Sequence, residues 1–257
     1  MGVPEGIRIA AAGDVHASEA TRERLEAAVA ALEDVDLLLL AGDLTTSGEP
    51  EQAEVLADVC RGLPMPVFAV LGNHDWHANR THELVAVLTG AGIRVLERSS
   101  ARCELRDRSV GIVGLKGFVG GFPDAALPDF GEPLLRQVFA ETTADVDALE
   151  RELEAVDSCD VRVVLLHYAP TVTTLGSEPP GIWAFLGSDR LAPPIAAHRP
   201  DLVLHGHAHA GNFQGFVGAV PVYNVAVHVM GRDFWVFELG EEPEPRVERR
   251  FAEPRAG

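Results

Sequence analysis

With 257 residues, 47% of them hydrophobic and 23% charged, the chain can bury one large core and is expected to form a single domain over 1–257. Its formal net charge of −18, with Lys116 as the only lysine, excludes a nucleic-acid backbone or an anionic membrane as the main partner, because both demand a cationic surface. A small phosphorylated substrate stays open, since divalent ions reverse the field of a site whatever the bulk charge.

Three cysteines, Cys60, Cys103 and Cys159, lack CxxC spacing and argue against a disulfide framework or zinc knuckle. No run reaches bilayer-spanning length, and the first residues enter a strand pattern without a basic and apolar leader, so a cytoplasmic location is expected. Ile7 to Ala12 reads as a short buried strand ending in Gly13-Asp14-Val15-His16. Ser18 is an N-cap candidate for a helix in which Leu25, Val29 and Leu32 recur at helical spacing. Asp36 to Ala41 is a second apolar run, closed by Gly42-Asp43-Leu44-Thr45. A helix from Glu51 to Arg61 stops before Pro64-Met65-Pro66, and the third strand, Val67 to Leu71, is closed by Gly72-Asn73-His74-Asp75. Apolar strands alternating with helices predict parallel pairing in a sheet covered on both faces.

Thr81 to Thr89 reads as a helix, and Ile93 to Leu96, Cys103 to Leu105 and Val110 to Leu115 as strands, with a turn at Asp107-Arg108. The stretch 116–142 is expected to be an irregular loop or cap, opened by a segment with Gly117, Gly120, Gly121, Pro123 and Pro128 and no periodicity. Helical patterning returns from Thr143 to Val156, and Val161 to Leu166 forms a strand ending at His167. A loop with Pro179-Pro180 and Trp183 precedes a helix from Asp189 to His198. Asp201 to Leu204 then runs into His205-Gly206-His207-Ala208-His209. Phe213 to Val217, Val220 to Val225, Phe234 to Leu239 and Val247 to Phe251 read as antiparallel strands joined by short turns.

Five strand ends thus carry chemistry-bearing side chains: Asp14 with His16, Asp43, Asn73 with His74 and Asp75, His167, and His207 with His209. Ligands of open α/β sheets bind at the carboxyl ends of strands, so these residues can converge in one crevice. Mixed nitrogen and oxygen donors in this number suffice for two divalent ions if one carboxylate bridges. The Asp-x-His and His-x-His spacings place each pair on one side of an extended strand.

The pieces GDVH, GDLTTSG, GNHD, LLHYAP and HGHAH, in that order across residues 13–209, resemble the five-block signature of calcineurin-like metallophosphoesterases. The resemblance implies an α/β fold, a four-layer α-β-β-α sandwich of two mixed sheets. It implies that Asp14, His16 and His209 hold one ion, Asn73, His167 and His207 the other, and that Asp43 bridges them. It also implies that His74 protonates the leaving oxygen and that Asp75 orients its ring. Two ions about 3.5–4 Å apart acidify a shared water and neutralise the phosphoryl oxygens, which implies hydrolysis of a phosphoester. The donor set suits manganese, iron or zinc, manganese first.

Departures from the family pattern narrow the substrate. Asp75 replaces the glutamate of the protein phosphatases, and Asp43 is followed by Leu44-Thr45-Thr46 rather than by their arginine-bearing block. The GDLT form is similar to bacterial phosphodiesterases, although cyclic-nucleotide enzymes among them carry paired histidines where this chain has His167-Tyr168. A small-molecule phosphodiester is therefore expected, with a phosphomonoester or pyrophosphate as alternatives, and a non-catalytic module like retromer-type subunits disfavoured by the complete ligand set.

Outside the blocks, His77, His82, His198 and His228 read as surface or packing histidines, and His205 as a structural neighbour of the site. Lys116 is either a solvated loop residue or a contact for a substrate phosphate. Tyr168 and Trp183 either wall a base or acyl group or pack in the core. Oligomeric state is not legible.

Overall fold

The structure is a computed structural model and describes residues 6–240. Four parallel strands, β1 (Ile7–Ala12), β2 (Leu37–Ala41), β3 (Val67–Val70) and β4 (Ile93–Val95), form the first sheet in chain order. Right-handed crossovers between sequential parallel strands put their helices on one face. Here these are α1 (Arg22–Ala30), α2 (Pro50–Cys60) and α3 (Thr81–Gly90), which bury Leu25, Leu56, Leu84 and Leu88.

The second sheet contains β5 (Ser99–Leu105), β6 (Arg108–Gly114), β7 (Val161–Leu165), β8 (Leu202–His205), β9 (Gln214–Val217) and β10 (Val220–Asn224), in the order β5-β6-β7-β8-β10-β9. Its two faces separate with the period of a strand. Val110, Ile112, Val163, Leu165, Leu202 and Leu204 join the core shared with the first sheet. Val113, Val164, Val203 and Val222 point the other way, onto Leu149 and Leu153 of α4 (Pro133–Ala155) and Ile195 of α5 (Ala192–His198). Two mixed sheets thus pack between helical layers, the architecture the motif resemblance implies.

Two regions differ from the sequence expectation. Helix α4 starts at Pro133, so residues 133–142 are helical and only 115–132 lack a regular element. Leu134 and Leu135 recur at i+4 in Val138 and Phe139, a helical spacing that the loop reading passes over, although these leucines are 70% and 53% exposed and face solvent rather than the core. The C-terminal strands are also not a simple antiparallel run. β10 lies parallel to β8, and β11 (Trp235–Leu239) crosses to the first sheet and pairs antiparallel with β1. The expected strand Val247 to Phe251 lies outside the described residues.

A small third cluster joins the loops above the strand ends. Phe122, Ala169, Leu175, Leu186 and Ala208 pack together with Trp183. Bridges from Gly121 to Ser188 and from Ala169 to Gly187 tie the glycine-rich segment and the connection after β7 to residues 187 and 188.

Candidate metal centre

Every predicted site residue follows a strand's carboxyl end: Asp14 and His16 after β1, Asp43 after β2, Asn73 to Asp75 after β3, His167 after β7, and His207 and His209 after β8. The backbone stitches these ends together. Asp14 and His16 donate their amides to Gly42 O and Asp43 O, and Gly206 donates to His167 O. Convergence does not come from strand pleating, however. Asp14, His16, Asp43 and His207 all have left-handed backbone, with φ of 58°, 46°, 49° and 68°. Such strain in non-glycine residues persists only where the surroundings over-determine it. Two glycines make the approach feasible. A Cβ on Gly42, itself at φ 80°, would overlap the His167 ring, and one on Gly72 would overlap the Asp43 amide and carboxylate.

Backbone carbonyls fix the tautomers, because a carbonyl only accepts. His167 donates from Nδ1 to Ala41 O at 2.9 Å, His74 from Nδ1 to Thr46 O at 2.8 Å and His16 from Nδ1 to Thr45 O at 3.3 Å. In the neutral rings each Nε2 is then a lone pair aimed at the centre. His207 is turned the other way: Nε2 donates to Phe185 O at 3.0 Å, leaving Nδ1.

Those lone pairs face carboxylate and amide oxygens. His167 Nε2 lies 3.0 Å from Asn73 Oδ1 and 3.4 Å from Asp43 Oδ1. His16 and His74 place Nε2 4.0 Å and 3.9 Å from Asp43 Oδ2. Three donor groups result, each with its atoms within 4.8 Å of one another: Asp14, His16, His209; His16, Asp43, His74; and Asp43, His167, His207. His207 and His209 therefore belong to different groups, and Asp43 belongs to two. A convergence of acceptors is costly when left to itself, and a cation resolves it. The residues fit divalent metal ions.

Electrostatics agree with ligand duty, which requires ionised carboxylates and neutral imidazoles. Burial pushes the Asp14 carboxyl up, but the His209 hydrogen bond at 2.8 Å, the nearby His167 and the His207 amide outweigh it and hold the pKa at about 2. Burial lowers His207 to about 4 and also lowers His16, although Asp43 opposes the latter shift. His209 is the exception to that requirement: its hydrogen bond to Asp14 raises it toward the charged form.

Asp75 does something other than expected. Its carboxylate, fully buried, accepts from Gly72 N (2.8 Å), Leu44 N (3.1 Å), Thr45 N (2.8 Å) and Thr45 Oγ1 (2.6 Å). All of those donors lie in the two loops it joins, so it staples the loop after β2 to the loop after β3. The ring of His74 is oriented by the Thr46 carbonyl instead. His205 is structural, as read from its strand position: Nε2 meets Thr174 Oγ1 and Nδ1 meets Gly206 O, both at 2.8 Å.

Two histidines read as surface or packing residues lie against the site. His228 stacks on His209 at 4.2 Å between ring centroids, and His77 lies 4.4 Å from His74. Neither belongs to a motif block, so no spacing marked them. Thr46 and Phe185 were also missed, because they act through carbonyl oxygens, which any residue type supplies. Lys116 is not a solvated loop residue: it is only partly exposed and sits over three aromatic rings. Tyr168 is 5% exposed and packs on His207, while Trp183 donates to Glu178 O and joins the loop cluster.

The family model described as Calcineurin-like phosphoesterase matches residues 7–211. Among solved structures, a phosphopantetheinyl hydrolase from Mycobacterium tuberculosis is 18% identical with a TM-score of 0.61, over 88% of this chain and 90% of that one. A putative 5′-nucleotidase from Staphylococcus aureus is 17% identical with a TM-score of 0.60, over 95% of this chain but 53% of that one. At these identities the similarity shows the fold alone. No curated protein matches the chain.

Proposed function

Because the chain belongs to the calcineurin-like phosphoesterase family, we propose that it is a metal-dependent phosphoester hydrolase whose substrate is a small-molecule phosphodiester. One observation carries the metal-dependent part of this reading: Asp43 is shared between donor groups, its Oδ1 facing His167 and its Oδ2 facing His16 and His74. Asp14, His16 and His209 would hold one ion, Asn73, His167 and His207 the other, and Asp43 both. Manganese suits this all-nitrogen-and-oxygen set best, ahead of iron or zinc. When bound, two such ions supply an acidified water as nucleophile and positive charge for the phosphoryl oxygens.

The chain's own residues supply the rest. His74 donates from Nδ1 to Thr46 O, so the proton for the leaving oxygen must come from Nε2 of the imidazolium. That nitrogen lies 3.9 Å from Asp43 Oδ2, on the side of the site where the ions would be held. Asp75 holds both loops in register, so its contribution is positional and passes through Leu44, Thr45 and Gly72.

Net charge supports a small substrate over a nucleic acid or membrane partner, and no described helix is long and apolar enough to cross a membrane. Two buried free cysteines, Cys60 and Cys159, support the cytoplasm as location. The test loads metal-stripped protein with manganese, iron or zinc and compares bis(p-nitrophenyl) phosphate with p-nitrophenyl phosphate and pyrophosphate. Fastest turnover of the diester is expected. A preference for monoester or pyrophosphate would move the assignment within the family, and no turnover with any metal would overturn it.

A further inference from the structure

A cavity of about 440 Å³ opens beside Asn73, lined by Lys116 and Glu97 and by the rings of Trp76, Phe118 and Tyr168. At its edge Arg98 is paired with Asp145 at 2.6 Å and with Glu141 at 2.5 Å, so those three charges answer one another. The other two do not. Lys116 Nζ donates to Gly117 O at 2.9 Å and lies 4.5 Å, 5.1 Å and 6.0 Å from the Phe118, Tyr168 and Trp76 ring centroids. Among the described residues that is its one hydrogen bond, so two of its three N–H donors make none to the chain. The Glu97 carboxylate takes no hydrogen bond from a described residue, and Glu97, an exposed residue, lines the mouth of the same cavity.

The spare donor and the spare acceptor line one cavity and are not paired with each other. Burial lowers the Lys116 ammonium against the pull of Glu97, and burial raises the Glu97 carboxyl against the pull of Lys116. Three carboxylates against two cations disfavour a second anionic group here. A simple cation is disfavoured as well, since Lys116 already lies against the rings. What fits is a neutral, flat group whose edge carries a hydrogen-bond acceptor next to a donor.

We propose that this cavity is the organic-group subsite of the hydrolase, and that Lys116 and Glu97 select an amino-substituted heteroaromatic ring or an amide. Its acceptor meets Lys116 Nζ, its donor meets the Glu97 carboxylate, and its face meets Phe118 and Tyr168. The inference rests on the phosphoesterase assignment for its place in catalysis. Its recognition chemistry is measurable without metal.

Metal-free protein is titrated with 2-aminopyrimidine, benzamide, benzoate and benzyltrimethylammonium, with binding read by ligand-observed NMR and calorimetry. The first two separate a heterocycle from an amide; both carry the acceptor-donor edge, whereas the last two test an anion and a cation. Saturable binding of 2-aminopyrimidine or benzamide, tighter than either charged probe, is expected. Lys116→Met and Glu97→Ala should each weaken it about tenfold, the loss of one charge-assisted hydrogen bond, with folding checked by circular dichroism. Tighter binding of benzoate or benzyltrimethylammonium, or unchanged affinity in both folded variants, would overturn the proposal; the wild-type ranking decides if a variant does not fold. Hydrolysis without probe binding would sink the subsite and leave the hydrolase assignment standing. Probe binding without hydrolysis under any metal would sink the assignment, and with it the subsite's place in catalysis.

Discussion

The metal centre and the cavity beside it share Asn73 and border on Tyr168, yet their polar atoms are treated in opposite ways. At the centre the outward nitrogen of His16, His74, His167 and His207 is tied to a main-chain carbonyl, and Asp14 accepts from the His207 amide and His209. In the cavity, Lys116 and Glu97 keep capacity that nothing in the described chain uses. Holding ions in a fixed geometry demands that every ligand be pinned. Admitting an organic group demands hydrogen bonds left to make. The first region is finished by folding and the second by its ligand.

The sharpest way to break that contrast is Asp43→Asn, which removes the shared charge. Activity should fall well beyond the ~100-fold typical of losing an outer hydrogen-bond partner, and ion content measured by mass spectrometry should fall with it. His74→Ala comes next. Turnover should drop by roughly 100-fold or more, as for a lost general acid, while ion content holds; loss of both together would make His74 a ligand. Asp75→Ala tests how far the pinning extends. It orphans three amides and a hydroxyl, so a loss of about 3 kcal/mol in denaturant unfolding is expected. Unchanged stability with slow turnover would instead return Asp75 to the role of orienting His74. Gly42→Ala should cost about 2 kcal/mol, through its left-handed backbone and the overlap with His167. The smallest effect belongs to the cavity, where Lys116→Met changes probe affinity about tenfold.

The same contrast explains what could be read from sequence. Ion ligands sit next to the turns that position them, so GDVH, GDLTTSG, GNHD and HGHAH are visible as contiguous blocks, and the sheet that gathers them follows from apolar strands alternating with helices. The cavity has no such block. Trp76, Glu97, Lys116 with Phe118, and Tyr168 come from four connections; pairing of β6 with β7 joins the last two, where the His167 and Tyr168 amides both donate to Lys116 O, and Trp76 and Glu97 arrive from the ends of β3 and β4. Asp75 misled for a related reason. The family resemblance implied contact with the His74 ring, but the 3-10 turn from His74 to Trp76 directs the carboxylate inward, onto the Leu44 and Thr45 amides. Likewise His207 and His209 looked like one pair in an extended strand, whereas β8 ends at His205 and the left-handed His207 splits them.

The direct test of the central claim is the anomalous scattering of crystals grown with manganese. Two peaks are predicted per chain, one among Asp14, His16 and His209 and one among Asn73, His167 and His207, with the Asp43 carboxylate touching both. A single peak, or His207 and His209 bound to the same ion, would contradict it.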